Sequence, residues 1–150
     1  MRRAGLRFAL VAGVLVFAAG PAGAALATYH LSGGGTASIS QFAMNVAIDG
    51  SGSASGSFEC LMAGRSGFVL GDFGLAHNMI VHATPTNGSV AGSVATFTGT
   101  GRLILDGRQK MDPIHVVVRA DTAAQTLQLT VVEVGALPTE TISSGRISLR

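Results

Sequence analysis

The ten residues from 41 to 50, QFAMNVAIDG, set the reading of the whole chain. Phe42, Met44, Val46 and Ile48 alternate with Gln41, Ala43, Asn45 and Ala47. A period of two places four large apolar side chains on one face of an extended strand and small or polar ones on the other, so one face packs while the other stays wet. Asp49-Gly50 then supplies a turn dipeptide. The same period recurs at Ile114, Val116 and Val118 against His115 and Arg119, and at Leu127, Leu129 and Val131 against Gln128 and Thr130. No segment beyond residue 27 carries a sustained helical stripe.

Turn signals at Asn87-Gly88, Asp106-Gly107, Ser144-Gly145 and Asp121 to Ala124 separate the apolar runs. They predict strands near 37–48, 56–63, 78–84, 90–99, 101–106, 113–120, 126–134 and 144–149. The Gly-rich segment from Tyr29 to Gly35 reads as a flexible arm, and FVLGDFGL at 68–75 as either a strand or a loop folded over a sheet edge. The expected fold class is therefore all-β, an antiparallel β-sandwich or closed β-barrel of about eight strands.

The first 27 residues read as a secretory signal-peptide helix. Arg2, Arg3 and Arg7 precede an apolar run from Phe8 to Ala19, and Ala25-Leu26-Ala27 offers small residues ahead of Thr28. The run is shorter than the roughly 20 residues a membrane-spanning helix needs, and Gly20-Pro21 follows it. The expected organisation is a leader over 1–27 and a single all-β domain over 28–150, secreted or periplasmic, with no transmembrane anchor after cleavage near Ala27-Thr28. Of the ten lysines and arginines three lie in the leader, so seven remain against eight acids. A net charge near zero without a Lys/Arg cluster excludes the electrostatic footprint of a nucleic-acid binder.

Cys60, in GSFECLMAG at 56–64, is the only cysteine. Phe58, Cys60 and Met62 share one parity on a strand, so the expectation is a buried free thiol in the core; a disulfide between chains and a reactive nucleophile are the alternatives. The histidines form no metal motif. His77 and His82 are five apart and would face opposite sides of one regular strand, His115 lies on the wet face, and His30 lies in the arm. The Asp49-Gly50-Ser51-Gly52-Ser53 loop brings one carboxylate where a calcium loop needs several. Neither a metal nor a cofactor is expected. No paired-carboxylate or serine-nucleophile pattern stands out among the acids and serines.

The order of motifs, namely GGG at 33–35, FAMNV at 42–46, GSF at 56–58, a histidine-bearing strand at His77 to His82, ATFTGTG at 95–101, HVVVRAD at 115–121, TLQLTV at 126–131 and SGRISL at 144–149, resembles the post-COAP type of bacterial exported β-domain. The resemblance implies an all-β exoprotein domain without an assigned catalytic activity, and it carries over no catalytic residue. It departs at Cys60, where the family pattern places an aromatic side chain.

The functional expectation is an exported, non-catalytic β-domain serving as an accessory binding or interaction module of the envelope or extracellular space, its partner an unknown protein or carbohydrate. Phe68, Phe73, His77 and His82 are the candidate ligand-binding residues: Phe42, Phe58 and Phe97 sit within strand patterns and read as core, whereas Phe68 and Phe73, with glycine between them, are the phenylalanines expected to be exposed near the histidines. The alternatives are a structural subunit associating through sheet edges and a hydrolase or lyase with dispersed catalytic residues.

Overall fold

The computed structural model describes residues 27–64 and 78–150. All of the expected leader but Ala27, and the candidates Phe68, Phe73 and His77, lie outside the described residues. No described helix is long and apolar enough to cross a membrane.

Nine strands follow one another: β1 (Thr28–Ala37), β2 (Gln41–Asp49), β3 (Ala54–Met62), β4 (Met79–Ala91), β5 (Val94–Leu105), β6 (Arg108–Asp121), β7 (Thr126–Val131), β8 (Gly135–Ala136) and β9 (Glu140–Leu149). All pairings are antiparallel, in the order β6-β5-β4-β3-β2-β1-β9-β7-β8, and β6 also pairs with β7. That last pairing closes the sheet into a ring, with β8 as a short appendage on β7. An eight-stranded ring has an interior that side chains can fill without leaving a channel.

The interior holds the parities read from the sequence. Phe42, Met44, Val46 and Ile48 of β2 are buried with Phe58, Cys60 and Met62 of β3, Ile114, Val116 and Val118 of β6, and Leu127, Leu129 and Val131 of β7. Phe58 and Phe97 meet edge to face, ring centres 5.8 Å apart, the arrangement their quadrupoles favour.

Four local expectations are corrected. Tyr29 to Gly35 is no arm but most of β1, paired with β2 on one side and with β9 on the other. The glycines that suggested flexibility instead permit close approach, since a Cβ on Gly33 would lie 2.5 Å from the Arg146 carbonyl oxygen. Asn87-Gly88 lies inside β4, where a bulge after Pro85 absorbs the irregularity and Gly88 sits against the Ile48 side chain; the turn falls later, at Gly92-Ser93. Ser144-Gly145 lies inside β9 opposite Thr36 and Gly35. The stretches 90–99 and 101–106, read as separate strands, form one continuous β5 from Val94 to Leu105, with Val90 and Ala91 ending β4.

Asp49 and Asp121 build two of the turns. The Asp49 carboxylate accepts from the Ser51 hydroxyl and from the Ser51 and Ser53 amides. Asp121 accepts from the Ser93 hydroxyl and from the amides of Ala123 and Ala124. The single Asp of the loop considered for calcium thus caps its own turn, as aspartates do through side chain to backbone bonds. Hydrogen bonds hold both carboxyls below their ordinary value of 3.8, chiefly from the Ser51 hydroxyl at Asp49 and from the Ala124 amide at Asp121. A carboxyl depressed in the folded state stabilises the fold above its unfolded pKa, and that contribution disappears as pH falls through the folded value. The thermal midpoint should therefore drop below about pH 4, and the drop should be shallower in an Asp49→Asn, Asp121→Asn double variant; equal slopes would show that these turns do not report acid.

Ring closure is thinnest between β7 and β9, which pair only at Thr126–Thr141 and Leu127–Glu140. Past that point the Gln125 side chain acts as a strand rung: its Nε2 donates to the Ile147 carbonyl at 2.9 Å, and its Oε1 accepts from the Ile147 amide at 3.0 Å. This satisfies two backbone groups of β9 that face away from β1.

Candidate functional site

An open groove of about 700 Å³ lies on the outer surface of the sheet. Its polar lining comes from alternate, outward positions of neighbouring strands: Asn45 of β2, Ser57 and Glu59 of β3, His82 and Thr84 of β4, and Thr100 and Arg102 of β5. Asp112 and Pro113 of β6 close one side. Of the inward positions beside the groove, Gly33, Ala83 and Gly101 are small while Met44 and Phe58 are large core side chains, and a Cβ on Gly101 would overlap the His82 carbonyl oxygen.

Strand register aligns the charged groups. Ala43 pairs with Glu59, Glu59 with His82, and His82 with Arg102, making one row across four strands. Thr84, Thr100 and His115 make a second. Within the first row Glu59 Oε2 lies 3.1 Å from His82 Nδ1, which fixes the ring and leaves Nε2 turned to other partners. Arg102 has no carboxylate in ion-pair range among the described residues. Beyond the groove, His115 Nδ1 meets Glu133 Oε1 at 2.6 Å, and the His115 amide donates to the same carboxylate at 3.0 Å. The His115 ring, then its amide, hold the Glu133 carboxyl below its ordinary value.

Of the four candidate ligand residues the structure places His82 in this groove; Phe68, Phe73 and His77 fall outside the described residues. Sequence reading passed over Asn45, Glu59, Thr84, Thr100 and Arg102. Each is an ordinary outward residue of its own strand, and outward parity was the only signal that could have gathered them.

A second cluster lies in the interior. Glu140 at the start of β9 is buried, and its carboxylate accepts from the Ser40 hydroxyl at 2.9 and 3.0 Å and from the Ile39 amide at 2.9 Å. Ser38 strengthens the same junction, its hydroxyl accepting from the Thr141 amide at 3.1 Å. Cys60 lies nearby with no exposed surface. Burial pushes its thiol up to about 12, opposed by the Ser40 hydroxyl and assisted by the negative charges of Glu140 and Glu59. A nucleophilic cysteine needs a cation or a base to make the thiolate, and here the neighbouring charges are acids. Ellman's reagent should therefore leave Cys60 untouched in the native protein and consume one thiol per chain after unfolding. Immediate reaction would place a path to the thiol that this packing does not provide.

Among the described residues no three His, Cys, Asp or Glu side chains gather as a metal site would require. No family model, curated protein or solved structure matches the chain.

Proposed function

We propose that the protein is an exported, non-catalytic binding module of the envelope or extracellular space and that the outer groove across β2 to β5 is its binding surface. The observation that carries this reading is the groove itself: a concavity of about 700 Å³ with polar side chains from four adjacent strands converging on it. A rigid sheet whose exposed residues are pre-aligned by register suits recognition, since little ordering is needed when a ligand arrives. Within the groove the Glu59 carboxylate and the His82 ring are engaged with each other. Export rests on the leader pattern in residues 1–27 and on the resemblance to the post-COAP type of exported β-domain.

Two measurements test the reading. Amino-terminal sequencing of the protein recovered from its own cells should begin between residues 25 and 28; a start at Met1 overturns export. Labelled protein added to the isolated envelope of those cells should bind saturably, and a His82→Ala, Arg102→Ala double variant with an unchanged melting temperature should bind at least about tenfold more weakly, a difference of about 1.4 kcal/mol. Equal binding by the two proteins would remove the groove from the function.

A further inference from the structure

We propose that the groove takes a linear polysaccharide, bound edge-on through its hydroxyls and lying across the strands along the row Ala43, Glu59, His82 and Arg102. This rests on the binding-module reading above and names the ligand class for the same surface.

Three observations point to that class. The first is spacing. The row steps from strand to strand through paired residues, so its side chains repeat at the inter-strand distance of about 4.8 Å, close to the length of one pyranose unit in an extended glycan. An extended peptide presents same-side groups every second residue, at roughly 6.6 Å, and runs out of step with the row.

The second is the state of the backbone. Each of β2 to β5 has a neighbour on both sides, and although the β3–β4 ladder ends at Phe58 and Ala83, the row Ala43, Glu59, His82 and Arg102 lies wholly within paired positions, so along that row there is no free edge to which a peptide could add as a further strand. Recognition here has to go through side chains.

The third is chemistry. Arg102 only donates hydrogen bonds, the carboxylates of Glu59 and Asp112 only accept, and Asn45, Ser57, Thr84 and Thr100 do both. Sugar hydroxyls, which donate and accept at once, satisfy such a mixture. A polyanion would meet Glu59 and Asp112, and a polycation would meet Arg102. Among the described residues no Phe, Tyr or Trp occupies the outward positions that line the groove, and the contacts these positions offer are made along the polar edge of the sugar.

The test is titration of the isotope-labelled protein, followed by amide chemical shifts, with three neutral hexasaccharides: β-1,4-linked glucose, β-1,4-linked N-acetylglucosamine and α-1,4-linked glucose. Free glucose and a soluble extended Ser/Ala decapeptide serve as comparisons. At least one hexasaccharide should shift amides of β2 to β5 around the groove with a dissociation constant on the order of a millimolar or below. It should bind at least about tenfold more tightly than glucose, because the row engages several units at once, and Arg102→Ala should weaken it by about fivefold or more. If the decapeptide shifts the groove and no hexasaccharide does, the polysaccharide falls while the groove stands. If a hexasaccharide shifts only residues elsewhere, the groove itself is refuted as the site. Silence from all three hexasaccharides, or a hexasaccharide no tighter than glucose, overturns the proposal.

Discussion

Replacing Gly145 by valine should lower the stability of the fold by about 2–6 kcal/mol. Gly145 lies in β9 at φ 87°, a left-handed conformation that valine adopts only under strain. A Cβ there would overlap the Gly34 carbonyl oxygen and lie 2.7 Å from the Gly35 Cα, and both of these atoms belong to the paired strand β1. The atoms in the way are backbone, so relief requires the two strands to separate, and β1 is the strand that joins β9 to β2 in the ring. Backbone strain of about 1–3 kcal/mol and overpacking of about 1–3 kcal/mol sum to a loss of about 2–6 kcal/mol, against a total for an ordinary domain of about 5–15 kcal/mol. Urea denaturation followed by far-ultraviolet circular dichroism measures it. Gly92→Ala is the internal comparison. Gly92 also has positive φ, 59°, but nothing lies within 4 Å of its would-be Cβ, so its loss should stay near 1 kcal/mol. Equal, small losses at both positions would mean that β1 and β9 do not approach as closely as described.

Glu140→Ala should cost about 3–5 kcal/mol. Glu140 starts β9, and through Ser40 and Ile39 it holds the turn between β1 and β2. Removing the carboxylate takes away charge-assisted bonds worth about 1.5–3 kcal/mol each and leaves a buried hydroxyl and an amide without an acceptor. Glu140→Gln separates charge from shape. The amide oxygen can still accept, but its NH2 group turns a donor toward the Ser40 hydroxyl or the Ile39 amide, so an intermediate loss of about 1–2 kcal/mol is expected. A Glu140→Ala variant with the parent's denaturation midpoint would show that the Ser38–Thr141 contacts hold this junction unaided.

The two sites differ in how far the sequence shows them. Glu140 is a single carboxylate one residue before a threonine-isoleucine pair, and its partners Ile39 and Ser40 lie a hundred residues earlier. No local pattern ties them, because a buried ionised group becomes recognisable only when its partners are in place. Burial of Cys60, by contrast, follows from the parity it shares with Phe58 and Met62, which needs only the extended backbone and one apolar face.

Parity is what the sequence by itself determined. It assigned inward and outward sides correctly on β2, β3, β6 and β7, because successive side chains of a strand must alternate and only one face of the sheet excludes water. Which strands are neighbours, and in what register, was decided by the tertiary structure. The Gly33-Gly34-Gly35 run has no hydrophobic pattern to announce a strand, and it becomes one only because β2 and β9 supply partners that need its missing side chains. Asn87-Gly88 has the composition of a turn but is held extended by β5 and by its packing on Ile48. The row of Glu59, His82 and Arg102 depends on three successive pairings and on where the bulges of β4 and β5 fall. A shift of one residue at any of them would turn one of these side chains to the opposite face, so the groove belongs to the register and not to any one strand.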